Sequence, residues 1–183
     1  MSYCDYISQP GCDELHIHYH NLRYGFPLDD DRELFARLVM EINQAGLSWI
    51  TILKKERYFR LAYDDFRPEV VAAYGHRDVE RLMSDPGIIR NRLKIGAAIH
   101  NAGVVLSFQE EFGSFRAWLD AHHPLDLKDW VKLFRKHFRF TGGEIVNEFL
   151  MSTGYLPGAH HPHCLIYTKV LESGPAWSQT APG

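Results

Sequence analysis

Glu41 and Trp49 lie eight residues apart on either side of an Ala45-Gly46-Leu47 turn. The carboxylate can accept hydrogen bonds and hold positive charge, and the indole offers a π face. Upstream, Leu34, Phe35, Leu38, Val39 and Ile42 recur at helical spacing, so Asp31 to Gln44 reads as an amphipathic helix. Glu41 follows Leu34 by seven residues and Leu38 by three, which sets it on or beside the apolar face. An acid turned inward is costly unless something pairs with it. The bland alternative is an acid that escapes to solvent beside a tryptophan that fills the core. Two other groups could do chemistry. Histidines cluster in His16-Ile17-His18-Tyr19-His20 and His160-His161-Pro162-His163-Cys164, within a chain of 11 histidines and three cysteines. Three cysteines cannot all pair, and in a reducing compartment thiolates or metal ligands are favoured over disulfides. Lys132, Arg135 and Lys136 precede Phe138-Arg139-Phe140-Thr141-Gly142-Gly143, a glycine turn whose following helix would offer free N–H groups to a phosphate. Arg90, Arg92 and Lys94, after Gly87, could add a second phosphate contact. The commoner meaning of such runs is a solvated basic face.

These groups are carried by a helical chain. Asp29-Asp30-Asp31 supplies a cap for the first long helix, and Ser48 can cap a second one carrying Trp49, Ile50, Ile52 and Leu53. Short helices follow at Phe66 to Tyr74, with Pro68 in the first turn, and at His76 to Met83. Asn91 to Glu111 reads as a long helix, then Phe115 to Ala121, a helix with Leu127, Trp130, Val131 and Phe134 on one face, and Ile145 to Thr153. No stretch alternates with period two, so the fold class is all-α. One domain is expected over 1–183, with irregular ends at 1–27, carrying a short helix around Asp13 to His20, and at 155–183 around a helical body at 28–154. The tail from Ser173 is expected to be mobile or loosely docked.

Glu41-x-x-Gln44-Ala45-Gly46-Leu47-Ser48-Trp49-x-x-x-Leu53-x-Lys55 closely resembles the signature of the 3-methyladenine DNA glycosylase I family, a branch of the helix-hairpin-helix glycosylases. Further similarity at Cys4, Tyr19-His20, Gly87 to Lys94, Phe138 to Gly142 and His160 to Cys164 extends over nearly the whole chain. The resemblance implies a helix-hairpin-helix glycosylase fold whose N- and C-terminal segments are joined by a structural zinc ion on Cys4, His20, His160 and Cys164. Two thiolates and two imidazoles close a tetrahedron. His163, beside Cys164, is a credible substitute ligand. Glu41 would be the catalytic carboxylate of a pocket for a flipped-out base, stacked against Trp49 and Tyr19. Tyr6 and Tyr24 stand where the family usually has tryptophan, and His16 falls near a place usually aromatic. Gly46-Leu47 would wedge into the space left by the base. Gly142 and Gly143 would form the hairpin, with Lys136, Arg139, Arg90 and Arg92 on phosphates. The family's Y-H-D-x-E-W-G block is here Tyr19-His20-Asn21-Leu22-Arg23-Tyr24-Gly25. These changes, at Asn21, Arg23 and Tyr24, cluster on one expected pocket wall, where a cationic Arg23 would oppose a cationic base if it reaches the pocket and have no effect if it points to solvent.

The implied reaction is hydrolysis of the N-glycosidic bond of N3-methyladenine in base-excision repair. Strand cleavage is not expected, because no lysine follows the hairpin turn in the position of a Schiff-base nucleophile. The implied partner is double-stranded DNA containing alkylated bases, and the protein is expected to act as a monomer. A formal net charge of −3 counts against a tight non-specific binder, although a local basic face would serve. No apolar run reaches the roughly 18 residues of a membrane span, and Met-Ser-Tyr-Cys-Asp-Tyr lacks signal-peptide features, so a cytoplasmic location is expected. Three competing readings are a paralogue for another lesion, a zinc-stapled DNA-binding module without catalysis, and a zinc hydrolase using the histidines. The last needs an open coordination position, which four protein ligands deny.

Overall fold

The computed structural model describes residues 2–179, and among these no β-strand occurs. The helices are α1 (Tyr3–Ile7), α2 (Glu14–Leu22), α3 (Asp31–Gln44), α4 (Trp49–Ala62), α5 (Pro68–Val71), α6 (His76–Ser84), α7 (Arg92–Phe112), α8 (Phe115–His122), α9 (Leu127–His137), α10 (Gly143–Ser152) and α11 (Tyr167–Glu172). No helix of the described residues is long and apolar enough to cross a membrane.

The element at the centre is α3. Its entry is set by Asp30, whose carboxylate accepts from the Arg32 N–H at 2.7 Å. Every residue from Leu34 to Asn43 is buried, polar ones included. The helix is therefore enclosed by the fold rather than half-exposed, and Glu41 is buried with it. Its C-terminus is held by Lys94 of α7, whose Nζ donates to the carbonyls of Asn43 (3.0 Å) and Ala45 (2.8 Å). A cation on these last carbonyls also complements the helix dipole. Lys94 is thereby buried and spent on the fold, not free for a phosphate as its sequence position suggested.

Gly46, at φ +83°, turns the chain into α4, a conformation that glycine reaches without strain. Gln44 braces the turn: its Nε2 donates to the Leu47 carbonyl at 2.9 Å. Lys55 clips α4 to the Pro86-Gly87 turn through two carbonyls at 3.1 and 3.2 Å. The signature glutamine and lysine are thus explained as fold-forming contacts.

A second set of contacts positions the hairpin between α9 and α10. Phe108 and Trp118 stack at 4.2 Å, and Phe115, Phe134, Phe138 and Phe149 pack around them. Burying side chains of this size contributes about 1.5–3 kcal/mol each. Asn101 of α7 fixes the loop by accepting from the Arg139 N–H (2.8 Å) and donating to its carbonyl (3.1 Å).

The ends of the chain are more regular than the sequence suggested. Ser2 and Asp5 form a capping box on α1, a helix the sequence did not suggest, whereas α2, capped by Asp13, falls where a short helix was expected. α11 lies within the C-terminal segment expected to be irregular. Residues 173–179 are docked: Pro175 is buried, and the Trp177 N–H donates to the Gly154 carbonyl at 3.2 Å. The remainder of the expected mobile tail, 180–183, lies outside the described residues.

Candidate active site

A cavity of about 340 Å³ opens between the N-terminal helices, α3, α4 and α10. Tyr3, Tyr19, Tyr24, Trp49, Glu41, Gln44, Glu148 and Met151 line it, together with Ser2, Gly158 and Ala159. The aromatic rings form a box: Tyr19 and Trp49 centroids are 5.1 Å apart, Tyr19 and Tyr24 5.7 Å, and Tyr3 and Tyr24 5.2 Å. The Trp49 Nε1 and the Tyr19 hydroxyl are buried and have no hydrogen-bond partner within the protein, a cost that a bound ligand could relieve.

Glu41 is 5 % exposed. It has no hydrogen-bond partner among the described residues. Burial pushes its carboxyl up to about 8; the charge of Glu148 adds to the rise and Arg37 opposes it. Arg37 does not close an ion pair with it. Its Nη1 donates to the Ser152 carbonyl at 3.1 Å, and its guanidinium lies 5.2 Å from the Tyr19 ring centroid. The cavity therefore carries an unsatisfied acid surrounded by π faces. That combination attracts a flat, cationic ligand that can donate hydrogen bonds.

Tyr19, Tyr24, Trp49 and Glu41 meet in the cavity, as the sequence suggested. Tyr6 and His16 stand behind it instead. The Tyr3 hydroxyl and His16 Nδ1 are 2.8 Å apart, and the Tyr6 ring packs on both Tyr3 and His16, so these two residues support Tyr3. Tyr3 and Glu148 are pocket residues that the sequence did not reveal. Tyr3 neighbours Cys4, and Glu148 lies five residues beyond Gly143, so both are brought in by segments singled out for other reasons.

The three departures in the Tyr19 to Gly25 block are absorbed separately. Asn21 Oδ1 lies 2.8 Å from His20 Nδ1. Arg23 forms a bidentate pair with Glu56 at 2.7 and 3.0 Å and does not line the cavity; its guanidinium lies 5.4 Å from the ring centroid of Tyr19, behind that wall, with its charge answered by Glu56. Tyr24 alone reaches the pocket, where its hydroxyl donates to Glu148 Oε2 at 3.1 Å. The expectation of a changed wall thus narrows to one residue.

Cys4, His20, His160 and Cys164 converge, their ligand atoms all within 4.8 Å of one another. The Cys4 Sγ is 3.3 Å from His20 Nε2 and 3.7 Å from His160 Nδ1; Cys164 Sγ is 3.8 and 3.6 Å from the same atoms. A tetrahedral zinc ion with ordinary bond lengths would set N and S ligands about 3.6 Å apart. The outer ring nitrogens are engaged in the complementary sense: His160 Nε2–H donates to the Tyr24 carbonyl at 2.7 Å, and His20 Nδ1 faces Asn21. Burial also lowers the pKa of both imidazoles, which favours the neutral form that a metal ligand needs. The four residues fit a metal ion. His163 is exposed and Cys12 lies apart from the cluster, so neither belongs to it.

The hairpin offers a different surface. Gly142 precedes α10 without a side-chain cap, leaving the first N–H groups of that helix open. Lys136 and Arg139 are exposed and form no ion pair among the described residues. Arg90 is likewise exposed and unpaired, whereas Arg92 is engaged by Glu80 at 2.8 Å. A groove lined by Glu41, Gln44, Ala45, Gly46, Glu144, Ile145, Asn147 and Glu148 joins the cavity to the start of α10. Leu47 stands at its side, 40 % exposed.

A helical body with an open hairpin helix beside an acidic aromatic cavity defines a base-excising glycosylase architecture. The chain belongs to the methyladenine glycosylase family, whose model matches residues 9–132. It is 35 % identical to DNA-3-methyladenine glycosylase 1 of Escherichia coli (strain K12), over 91 % of this chain and 97 % of that protein. A solved 3-methyladenine DNA glycosylase I variant in complex with 3-methyladenine matches with a TM-score of 0.79 at 30 % identity, covering 91 % and 97 % of the two chains. The Staphylococcus aureus 3-methyladenine DNA glycosylase I matches with a TM-score of 0.76 at 32 % identity, over 85 % and 92 %.

Proposed function

We propose that this protein is a monofunctional DNA N-glycosylase that excises N3-methyladenine from alkylated double-stranded DNA, the first step of base-excision repair. The observation that carries this reading is Glu41: a buried, unpartnered acid among aromatic faces, reached by a groove from an uncapped hairpin helix. A duplex would lie with a phosphate on the amides near Gly142 and Gly143, steadied by Lys136, Arg139 and Arg90. Such contacts position the strand without reading sequence. Extruding the base costs a few kcal/mol of unstacking, and Leu47 on the Gly46 turn would fill the vacated stack.

In the cavity the base would stack on Trp49 and Tyr19 while Glu41 accepts from its exocyclic amino group. N3-methylation makes the base cationic. The cation stabilises the ionised form of Glu41, so that carboxylate and lesion favour each other in a way that neutral adenine does not reproduce. The alkylated base is already a good leaving group. A carboxylate near the sugar would stabilise the developing oxocarbenium ion as water completes hydrolysis. No lysine lines the cavity among the described residues, in keeping with hydrolysis without strand cleavage.

Zinc is the ion the Cys4, His20, His160 and Cys164 set suits best. With four protein ligands it would supply structure and no reacting water. We read the protein as one cytoplasmic domain, acting as a monomer. Chromatographic identification of bases released from methylated duplex DNA tests the proposal. Free 3-methyladenine with intact strands supports it, and absence of any released base favours a zinc-stapled DNA-binding module.

A further inference from the structure

Glu41 on α3 and Glu148 on α10 line the same cavity and the groove leading from it. Glu148 is partly buried, and its hydrogen-bond partner is the Tyr24 hydroxyl. The groups facing this pair can be named from each packed element. Tyr3 comes from α1, Tyr19 from α2, Tyr24 from the segment after α2, and Trp49 from α4. None of these carries positive charge. Glu144 adds a further acid where the groove opens. The nearby cations are Arg37 of α3, which is turned to the Ser152 carbonyl and the Tyr19 face, and Arg23, which lies 5.4 Å from the Tyr19 ring centroid and is paired with Glu56. Two carboxylates so placed, neither of them in an ion pair among the described residues, do not both ionise readily. Burial raises the carboxyl of Glu148 as it does that of Glu41.

We propose that Glu148 is a second recognition carboxylate of the base pocket, which shares one proton with Glu41 and loses that proton when a cationic base binds. The inference rests on the base-pocket reading above and deepens it. The exchange balances: the empty pocket holds one carboxylic acid and one carboxylate, the cation enters, and one proton leaves to solvent. No covalent bond to carbon changes. A neutral base offers no charge to replace that proton, so the pair selects against undamaged purines. Tyr24, where the resemblance leads one to expect tryptophan, contributes the hydroxyl that holds Glu148 in the wall. It is a positioning residue.

The test is isothermal titration of the intact protein with the permanently charged 3,9-dimethyladeninium, from pH 6 to 9, in buffers of differing ionisation enthalpy. The parent should release close to one proton at pH 7 and bind more tightly as pH rises. Glu148→Gln should weaken binding about tenfold and move the midpoint of the pH dependence down by about one unit, because the like charge is gone. Tyr24→Phe removes the donor from Glu148 and should move the midpoint up. A purely structural Glu148 would make the two variants behave alike, and that result overturns the inference. So does Glu148→Gln binding with the parent's affinity and midpoint. If the parent itself fails to bind the cation, the base-pocket reading falls as well.

Discussion

Tyr19 lines the cavity, while the next residue, His20, turns its Nε2 to within 3.3 Å of the Cys4 sulfur. The same division recurs at Tyr3 and Cys4 and at Ala159 and His160: a pocket wall and a member of the cysteine–histidine cluster stand side by side. The cluster therefore sets the walls of the cavity. Cys4→Ser should abolish stoichiometric zinc in elemental analysis and lower stability by about 3 kcal/mol, a fall in Tm of roughly 6–12 °C for a chain of this size. It should also weaken binding of 3-methyladenine. Purified parent protein without metal, or a variant that melts with the parent, would contradict this account.

Lys136 and Arg139 stand free beside the hairpin, whereas Arg92 is held by Glu80. Lys136→Ala and Arg139→Ala should each weaken binding to damaged and undamaged duplexes alike. Each should flatten the plot of log K against log salt by about 0.9, and Arg92→Ala should change it less. Fluorescence anisotropy at several salt concentrations measures this. Weakening confined to damaged DNA would move the residue into base recognition.

Lys94 offers a contrasting case. Lys94→Met strips a charged donor from the Asn43 and Ala45 carbonyls and should destabilise the fold by about 1–3 kcal/mol in urea unfolding. The salt slope of DNA binding should stay at the parent's value. A slope reduced as in Lys136→Ala would place Lys94 on the DNA after all.

The pH dependence of stability follows from Glu41. Its carboxyl is raised from an ordinary value of 4.5 to about 8 in the folded protein. Below about pH 4.5 both states are protonated and the group contributes nothing. As pH rises from there to about 8, the unfolded chain ionises first, so Glu41 progressively destabilises the folded state. Glu41→Gln, which cannot ionise, should therefore gain on the parent by roughly 2–4 kcal/mol between pH 5 and pH 8. Thermal melts across that range test it. A constant difference between the two proteins would mean that Glu41 is ionised and paired in the free protein.

The chain's own sequence made some of this plain and concealed the rest for physical reasons. The limits of α3 were legible because the Asp30 cap and the period of Leu34, Phe35, Leu38 and Ile42 are local signals. The same locality placed Glu41 and Trp49 around a turn. What the periodicity could not show is that α3 is enclosed by the fold, which buries Arg37 as well. Whether Arg23 reaches the pocket could not be read, because its partner, Glu56, comes from α4 and only the fold brings them together behind Tyr19. Glu148 and Tyr3 were missed for the converse reason. Nothing beside them in sequence marks them, and they meet Glu41 through the packing of α10 and α1 on α3. The short helices at the ends, α1 and α11, escaped a periodicity reading because so few turns carry little pattern.

The account depends most directly on what Glu41 does to an alkylated base. Single-turnover release of 3-methyladenine from methylated duplex DNA, comparing the parent with Glu41→Gln at pH 8, measures that role. The variant should fold, keep affinity for undamaged duplex within about twofold, and lose excision by 100-fold or more, about 2.7 kcal/mol of transition-state stabilisation. A variant that releases 3-methyladenine as fast as the parent would contradict the assignment of Glu41 and, with it, the reading of the cavity as the catalytic site.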